Sequence, residues 1–294
     1  MKKLAHIINP IRVPETSDLF VAQPITFETM RRAKAQATDG LQISLYSAQF
    51  KEDLSMVPAD FQLTPNLDRS VLDLGKFRHI RKLPLLKDIL DRLYFEAIDA
   101  DYLIFTNVDI ALQPSFYNMI DELTTAGYDA FVINRRTIPG HYKGVEQISL
   151  MMAEPGVAHR GWDCFVFSRT IYSRFKLFDV CVGATRVGLA LLANMQAYGS
   201  RFREFKKEHL TFHIGDERNW LNPVYTDYDN HNTRQLMRIL EAIEVERGPF
   251  DRDTIPGSFL YRKRKLGPLY EFWARHVYLP VGLSLALNRL MGRQ

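Results

Sequence analysis

A chain of 294 residues suits one large domain, or a domain with a smaller appendage, and it can bury a substantial core. Its 46% hydrophobic and 24% charged residues exclude a disordered chain, and a formal charge of +4 gives no electrostatic case for nucleic acid. Only two cysteines occur, Cys164 and Cys181, without the spacing of a metal site or a disulfide framework, which argues against zinc and thiol chemistry and suits a reducing, cytoplasmic compartment.

Leu4 to Ile8 is a short apolar run ended by Asn9 and Pro10, too brief for a signal-peptide core and expected as a buried first strand. Thr26 is the expected cap of a helix from Phe27 towards Ala37. Leu41 to Ala48 and Arg69 to Leu74 are the expected second and third strands. From Leu86, apolar residues at 86, 89, 90, 93, 94 and 97 fall at helical spacing and predict an amphipathic helix. It feeds into "DYLIFTNVDIAL", where Tyr102 to Thr106 suits a buried strand. Pro114 then opens a helix whose Phe116, Ile120 and Leu123 share a face until Gly127, and Asp129 to Asn134 is another short strand. Later, Cys164 to Ser168 is expected as a strand, with helices at Val187 to Tyr198 and Gln235 to Val245.

Strands alternating with helices predict an α/β fold: a mostly parallel central sheet, Rossmann-like, flanked by helices. No window reaches the roughly 18 apolar residues of a spanning helix. No linker-like composition divides the chain before Gly248, so residues 1–247 are expected as the main domain and 248–294 as a C-terminal helical appendage.

In such sheets ligands collect at the carboxyl ends of the strands, and Asn107 and Asp109 lie at such an end. A carboxylate there can hold a hard divalent cation bridging to a diphosphate, while the Asn107 amide can bind a ribose hydroxyl or orient Asp109. Turn formation competes with this reading, because Asn and Asp also favour turns. In "HRGWDCFVFSR", Asp163 stands beside Trp162 before an apolar strand, the arrangement of a general base next to an aromatic wall; a solvated turn is the plainer alternative. "EHLTFHIGDERNW" supplies His209 and His213, either packed core residues or, for His213, a metal ligand arriving late in the chain. Arg135 and Arg136 follow the strand ending at Asn134 and can fork onto phosphate, or simply form a basic turn.

The three segments "FTNVDI", "GWDCFVF" and "FHIGD" occur in an order that resembles the GT-A fold of nucleotide-sugar-dependent glycosyltransferases. "RKLPLLKDILD", "TNVDI" and "DAFVINRRT" look more narrowly like an uncharacterised bacterial group of such proteins. The resemblance covers about residues 1–220. It implies a nucleotide-diphosphate sugar as donor, Asp109 as ligand of Mn²⁺ or Mg²⁺, His213 as its partner and Asp163 as the base of an inverting transfer. Asn107 departs from the family pattern by replacing the first acid of the triplet, and a Gln-x-x-Arg-Trp acceptor motif is missing. The implied acceptor is a hydroxyl on a glycan, a lipid-linked glycan or a small molecule.

Two other functions compete. A nucleotidyltransferase uses a related sheet and metal, but "INPIRVPETSD" lacks the glycine-rich phosphate loop expected after its first strand. A non-catalytic carbohydrate- or nucleotide-binding protein would keep the fold without the reaction, and Asn107 keeps that reading open. The tail has two readings as well. Basic "YRKRK" leads an aromatic and aliphatic stretch through 261–294, which either packs on protein or rests at the inner face of a membrane.

Overall fold

The structure is a computed structural model that describes residues 1–216 and 222–267. The chain divides into two compact units, Met1–Ile243 and Glu244–Gln294. Strand β1, Lys2–Ile8, is followed by helix α1, Asp18–Ala35, and strand β2, Leu41–Ser47. A two-residue strand β3, Gln62–Leu63, precedes helix α2, Leu86–Glu96, and strand β4, Tyr102–Thr106. Strand β5, Ala111–Leu112, and helix α3, Phe116–Thr125, lead to the long strand β6, Ala130–Ile138. Helix α4, Ile148–Ala153, strand β7, Val157–Ser168, and the short helix α5, Arg169–Tyr172, come next. Helix α6, Val187–Tyr198, strands β8, Phe202–Phe205, and β9, Thr211–Ile214, and helix α7, Thr226–Arg247, follow. In the second unit, helix α8 spans Ile255–Leu266 and is capped by Thr254, whose hydroxyl accepts from the Gly257 amide.

The strands form one sheet in the order β3-β2-β1-β4-β7-β6-β9-β5, with β8 also on β6. Pairings of β1 with β2 and β4, of β2 with β3, and of β6 with β8 and β9 are parallel; β7 runs antiparallel to β4 and β6, as does β5 to β9. The result is a mostly parallel α/β sheet, Rossmann-like. Alternate side chains of each strand point to opposite faces. Leu4 and Ile8 of β1, Ile104 of β4, Phe131 and Ile133 of β6 and Val166 of β7 share one core with Phe27 and Met30 of α1 and Phe116 and Ile120 of α3. Helix α2 packs on β1 and β4, and α6 on β6 and β7. Because both faces are covered, the inner strands are largely apolar along their length, as parallel sheets require.

Several expected elements move. Thr26 does not cap a helix; it lies inside α1, which starts at Asp18 because the Ser17 hydroxyl accepts from the Leu19 amide. Pro24 removes one amide from the helix interior yet does not end it, because tertiary packing overrides that local loss. Arg69 to Leu74 is not a strand. Ser70 and Asp73 form a reciprocal cap that winds Val71–Asp73 into one 3-10 turn. Strands β6 and β7 both run further than their apolar stretches, so Arg135, Arg136 and Asp163 are strand residues rather than residues of flanking turns. Helix α7 likewise starts well before Gln235, at Thr226.

Candidate active site

Strand β4 ends at Thr106, and the amide of Ile110 turns back to the carbonyl of Asn107 at 3.2 Å. That turn delivers Asp109 next to β5, whose Ala111 pairs with Phe212 of β9. On its other edge β9 pairs with β6, with Thr137 opposite His213. These two registers bring together residues far apart in sequence: His213 Nε2 lies 3.2 Å from Asp109 Oδ2. The imidazole is only 6% exposed, and its Nδ1 donates to the Gly215 carbonyl at 2.8 Å. Gly215 has φ +72°, a left-handed conformation that glycine adopts without strain, and this aims its carbonyl back at the ring.

The two groups perturb each other. Burial alone would raise the Asp109 carboxyl, but the His213 hydrogen bond and charge, helped by Arg135, hold it below the usual carboxylate range. Burial would lower His213, yet the Asp109 hydrogen bond and charge carry it above the ordinary imidazole value against opposition from Arg135. Asp109 Oδ1 is buried and has no hydrogen-bond partner. A buried carboxylate oxygen left this way is costly, and it marks a place where a cation or donor belongs.

Beside this pair, the antiparallel register of β4 and β7 sets Thr106 opposite Cys164. Asn107 therefore faces Asp163: its amide nitrogen Nδ2 donates to Asp163 Oδ1 at 3.2 Å. The register of β6 and β7 slips here, with Ile133 opposite Cys164 but Asn134 opposite Trp162. Asp163 is the extra residue of that β-bulge, a device that re-aims one side chain out of the ladder. Arg135 Nη1 meets Asp163 Oδ2 at 2.9 Å, with both side chains nearly buried. The other arm, Nη2, lies 3.9 Å from Asp216 Oδ1, and His159 Nε2 stands 3.9 Å from the same oxygen. Trp162 is fixed by its Nε1 donating to Glu204 Oε1 at 2.9 Å.

Of the residues singled out in the sequence, Asp109 and His213 form one contact, and Asn107, Asp163 and Arg135 form a second. Arg136 joins neither. Its guanidinium donates to the carbonyls of Pro155, through Nε, and of Gly156, at 2.7 Å, tying down the start of β7. His209 belongs to a separate contact with Gln113, at 3.1 Å. Asp216 and His159 join the cluster although sequence reasoning gave them no role. Asp216 was reachable as the last residue of "FHIGD", the same motif that contains His213; His159 carried no local signal.

Among the described residues, no group of three or more His, Cys, Asp or Glu side chains could hold a metal ion. A two-residue half-site does fit one. Since the His213 Nδ1 carries the hydrogen donated to Gly215, the Nε2 must present either a second N–H or a lone pair to the carboxylate. Two lone pairs cannot face each other at that separation, so the pair needs a proton or a metal cation between its atoms. Neighbouring ligands on an octahedral ion also sit about 3 Å apart. The backbone carbonyl on Nδ1 is the partner that metal-binding imidazoles commonly have.

No family model matches this chain, and no curated protein matches it. Solved structures do. Residues 1–349 of S. aureus TarS in complex with UDP-GlcNAc match with a TM-score of 0.54 at 10% identity, covering 95% of this chain and 77% of that one. A second structure of the same TarS segment matches with a TM-score of 0.46 at 10% identity, over 96% and 76% of the two chains. The fold is therefore GT-A-like, as the sequence motifs implied.

Proposed function

We propose that this protein is a glycosyltransferase that moves a sugar from a nucleotide-diphosphate donor to a hydroxyl acceptor. The observation that carries the reading is the Asp109–His213 pair, with its unsatisfied buried carboxylate oxygen, held beside the Asp163–Arg135–Asn107 cluster at the mouth of a GT-A-like sheet. A TarS structure of the same fold is a complex with UDP-GlcNAc, which supports a UDP-sugar as donor.

Asp109 and His213 would hold Mn²⁺ or Mg²⁺, with diphosphate oxygens and water supplying the remaining ligands. When bound, the ion would act as a Lewis acid on the diphosphate. Transfer requires the acceptor oxygen to attack the anomeric carbon as the bond to the phosphate oxygen breaks, its electron pair leaving with the diphosphate. The acceptor proton goes to a base, and Asp163 is suited to that role. Arg135 and Asn107 each hold one of its oxygens, which fixes the plane of the carboxylate before the acceptor arrives. Attack assisted by a base opposite the leaving group inverts the anomeric centre. Asn107 suits this arrangement better than an acid would, because a second carboxylate at 3.2 Å from Asp163 would repel it.

Calorimetric titration with Mn²⁺ and UDP tests the donor site: wild type binds, and Asp109→Ala weakens binding by about 100-fold or more. Equal binding by the variant, or none by wild type, refutes the metal assignment. Hydrolysis of a donor panel then separates sugar transfer from nucleotide binding without reaction. Pyrophosphate released from a nucleoside triphosphate and a sugar phosphate would instead indicate a nucleotidyltransferase.

A further inference from the structure

We propose that Arg81 is the centre of a phosphate-binding site, separate from the Asp109–His213 pair, that recognises a phosphate group on the acceptor. Its use by the acceptor rests on the function proposed above, whereas its capacity to bind phosphate does not.

Several arginines of the first unit are neutralised or spent. Arg69 forks onto Asp88 at 2.8 Å through two nitrogens, Arg135 onto Asp163, and Arg136 onto carbonyls. Arg81 differs. Among the described residues no carboxylate lies within ion-pair distance of it; its Nη1 is also buried without a hydrogen-bond partner, a feature it shares with Arg135 Nε. The guanidinium is nevertheless held in place, lying 4.3 Å above the ring of Tyr225 and 5.8 Å from that of Tyr228. Stacking occupies the face of the cation and leaves its N–H groups, which lie in the plane, for an oxyanion.

The loop that carries Arg81 is fixed at several points. The Arg81 amide donates to Tyr228 Oη at 2.9 Å, and that hydroxyl donates to the His79 carbonyl at 2.5 Å. Phe77 stacks on Tyr228 with ring centroids 4.2 Å apart, and the Arg78 amide donates to Asp227 at 2.7 Å. So ordered a loop presents its charges at little further entropic cost. Lys76, Arg78 and Lys82 lie near Arg81 in the chain, all three exposed; among the described residues only the side chain of Lys82 pairs with a carboxylate, Glu52 at 2.5 Å, while the Asp227 carboxylate is held by the Arg78 amide. A half-buried fork with further cations a few residues away in the chain favours a phosphate over a singly charged carboxylate.

Opposite the fork is Gly183, in the left-handed region at φ +95°. A Cβ there would come to 3.0 Å from Leu83, too close, and to 3.6 Å from Arg81 Nη2, an ordinary contact, so the Gly183 backbone passes directly beside the guanidinium. The same segment leads to Gly188, where a Cβ would meet Trp162 at 3.2 Å. The stretch from Gly183 to Gly188 thus runs from beside Arg81 to Trp162, the neighbour of Asp163. Because that link runs to the proposed base, the phosphate is assigned to the acceptor, and the donor's diphosphate to Asp109 and His213.

The test measures binding of glycerol 3-phosphate, a soluble phosphate monoester, to the full chain saturated with UDP and Mn²⁺ and, separately, to the chain alone. Wild type is expected to bind it, Arg81→Gln to weaken it at least 10-fold, and Arg81→Lys to fall between because it keeps charge without the fork. Lys76→Gln with Arg78→Gln, both exposed, should weaken it a few-fold, which keeps the test decisive if Arg81→Gln does not fold. UDP affinity should stay unchanged in every variant. No binding by wild type, or binding by Arg81→Gln and Arg81→Lys equal to that of wild type, overturns the proposal; so does a matching loss of UDP affinity, which would move Arg81 to the donor site. Phosphate binding without UDP binding would instead sink the function proposed above and leave this site standing. Vesicles of phosphatidylcholine with phosphatidic acid, against phosphatidylcholine alone, decide the source of the phosphate: Arg81-dependent capture by the former identifies a lipid phosphate, and its absence with glycerol 3-phosphate bound identifies a soluble one.

Discussion

His6, in the middle of the sheet, and His213, at its mouth, are both almost fully buried, yet their surroundings push them in opposite directions. His6 is bonded at Nδ1 to Tyr117 Oη and at Nε2 to Thr106 Oγ1, each at 2.9 Å, and it stacks near Phe116. Hydroxyls can satisfy both nitrogens of a neutral ring but supply no charge, so burial lowers its pKa to about 3. His213 has one neutral partner, the Gly215 carbonyl, and one carboxylate, Asp109, and it is raised above the ordinary value despite similar burial. Burial by itself makes a histidine that gives up its proton; burial opposite a carboxylate makes one that keeps it.

The largest expected effect comes from acid. His6 is depressed from 6.5 to about 3, so its contribution is fully present above pH 6.5 and is lost as pH falls towards 3, a cost of up to about 5 kcal/mol. Unfolding by urea across that range should show it, and His6→Gln should flatten the dependence. His213 contributes with the opposite sign: raised in the folded state, it stabilises below pH 6.5 and loses that contribution as pH rises through its folded value. A profile that does not change when His6 is replaced would break the comparison.

Asp109→Asn should turn His213 into a second His6. With its charged partner gone, burial and Arg135 both act to lower the imidazole, so its titration should move from above the ordinary value to below it. NMR of the ring protons would follow this, alongside a stability loss of roughly 2–3 kcal/mol for breaking a buried charged hydrogen bond. A smaller effect is expected at the structural histidine: Tyr117→Phe leaves one ring nitrogen unsatisfied and should cost about 1–2 kcal/mol, with UDP affinity unchanged. The smallest is Asn107→Asp, which exchanges a hydrogen bond to Asp163 for repulsion and should cost roughly 1 kcal/mol in stability. If Asn107→Asp instead stabilised the fold, the proposed pairing of Asn107 with Asp163 would be wrong.

The strands at the heart of the sheet could be read directly. Leu4 to Ile8, Tyr102 to Thr106 and the helices at Leu86 and Val187 have apolar patterns long enough for burial to fix their type. Elements held by polar or long-range contacts were harder to place. The Ser17 cap, not the apolar pattern, starts α1, and the reciprocal Ser70–Asp73 cap converts an apparent strand into a turn. The outer halves of β6 and β7 contain arginines, glycine and histidine, so only pairing with their neighbours reveals them as strands.

Sequence by itself singled out the candidate side chains: a carboxylate after a buried strand, an aspartate beside Trp162, and a late histidine, in an order that implied the fold. Only the tertiary structure decided their partnerships. The β5–β9 and β6–β9 registers place His213 against Asp109, and a one-residue bulge turns Asp163 towards Asn107 and Arg135. Those contacts join residues separated by 104, 56 and 28 positions. No local pattern encodes such distances, because strand register is set by the packing of the whole sheet rather than by the residues that meet across it.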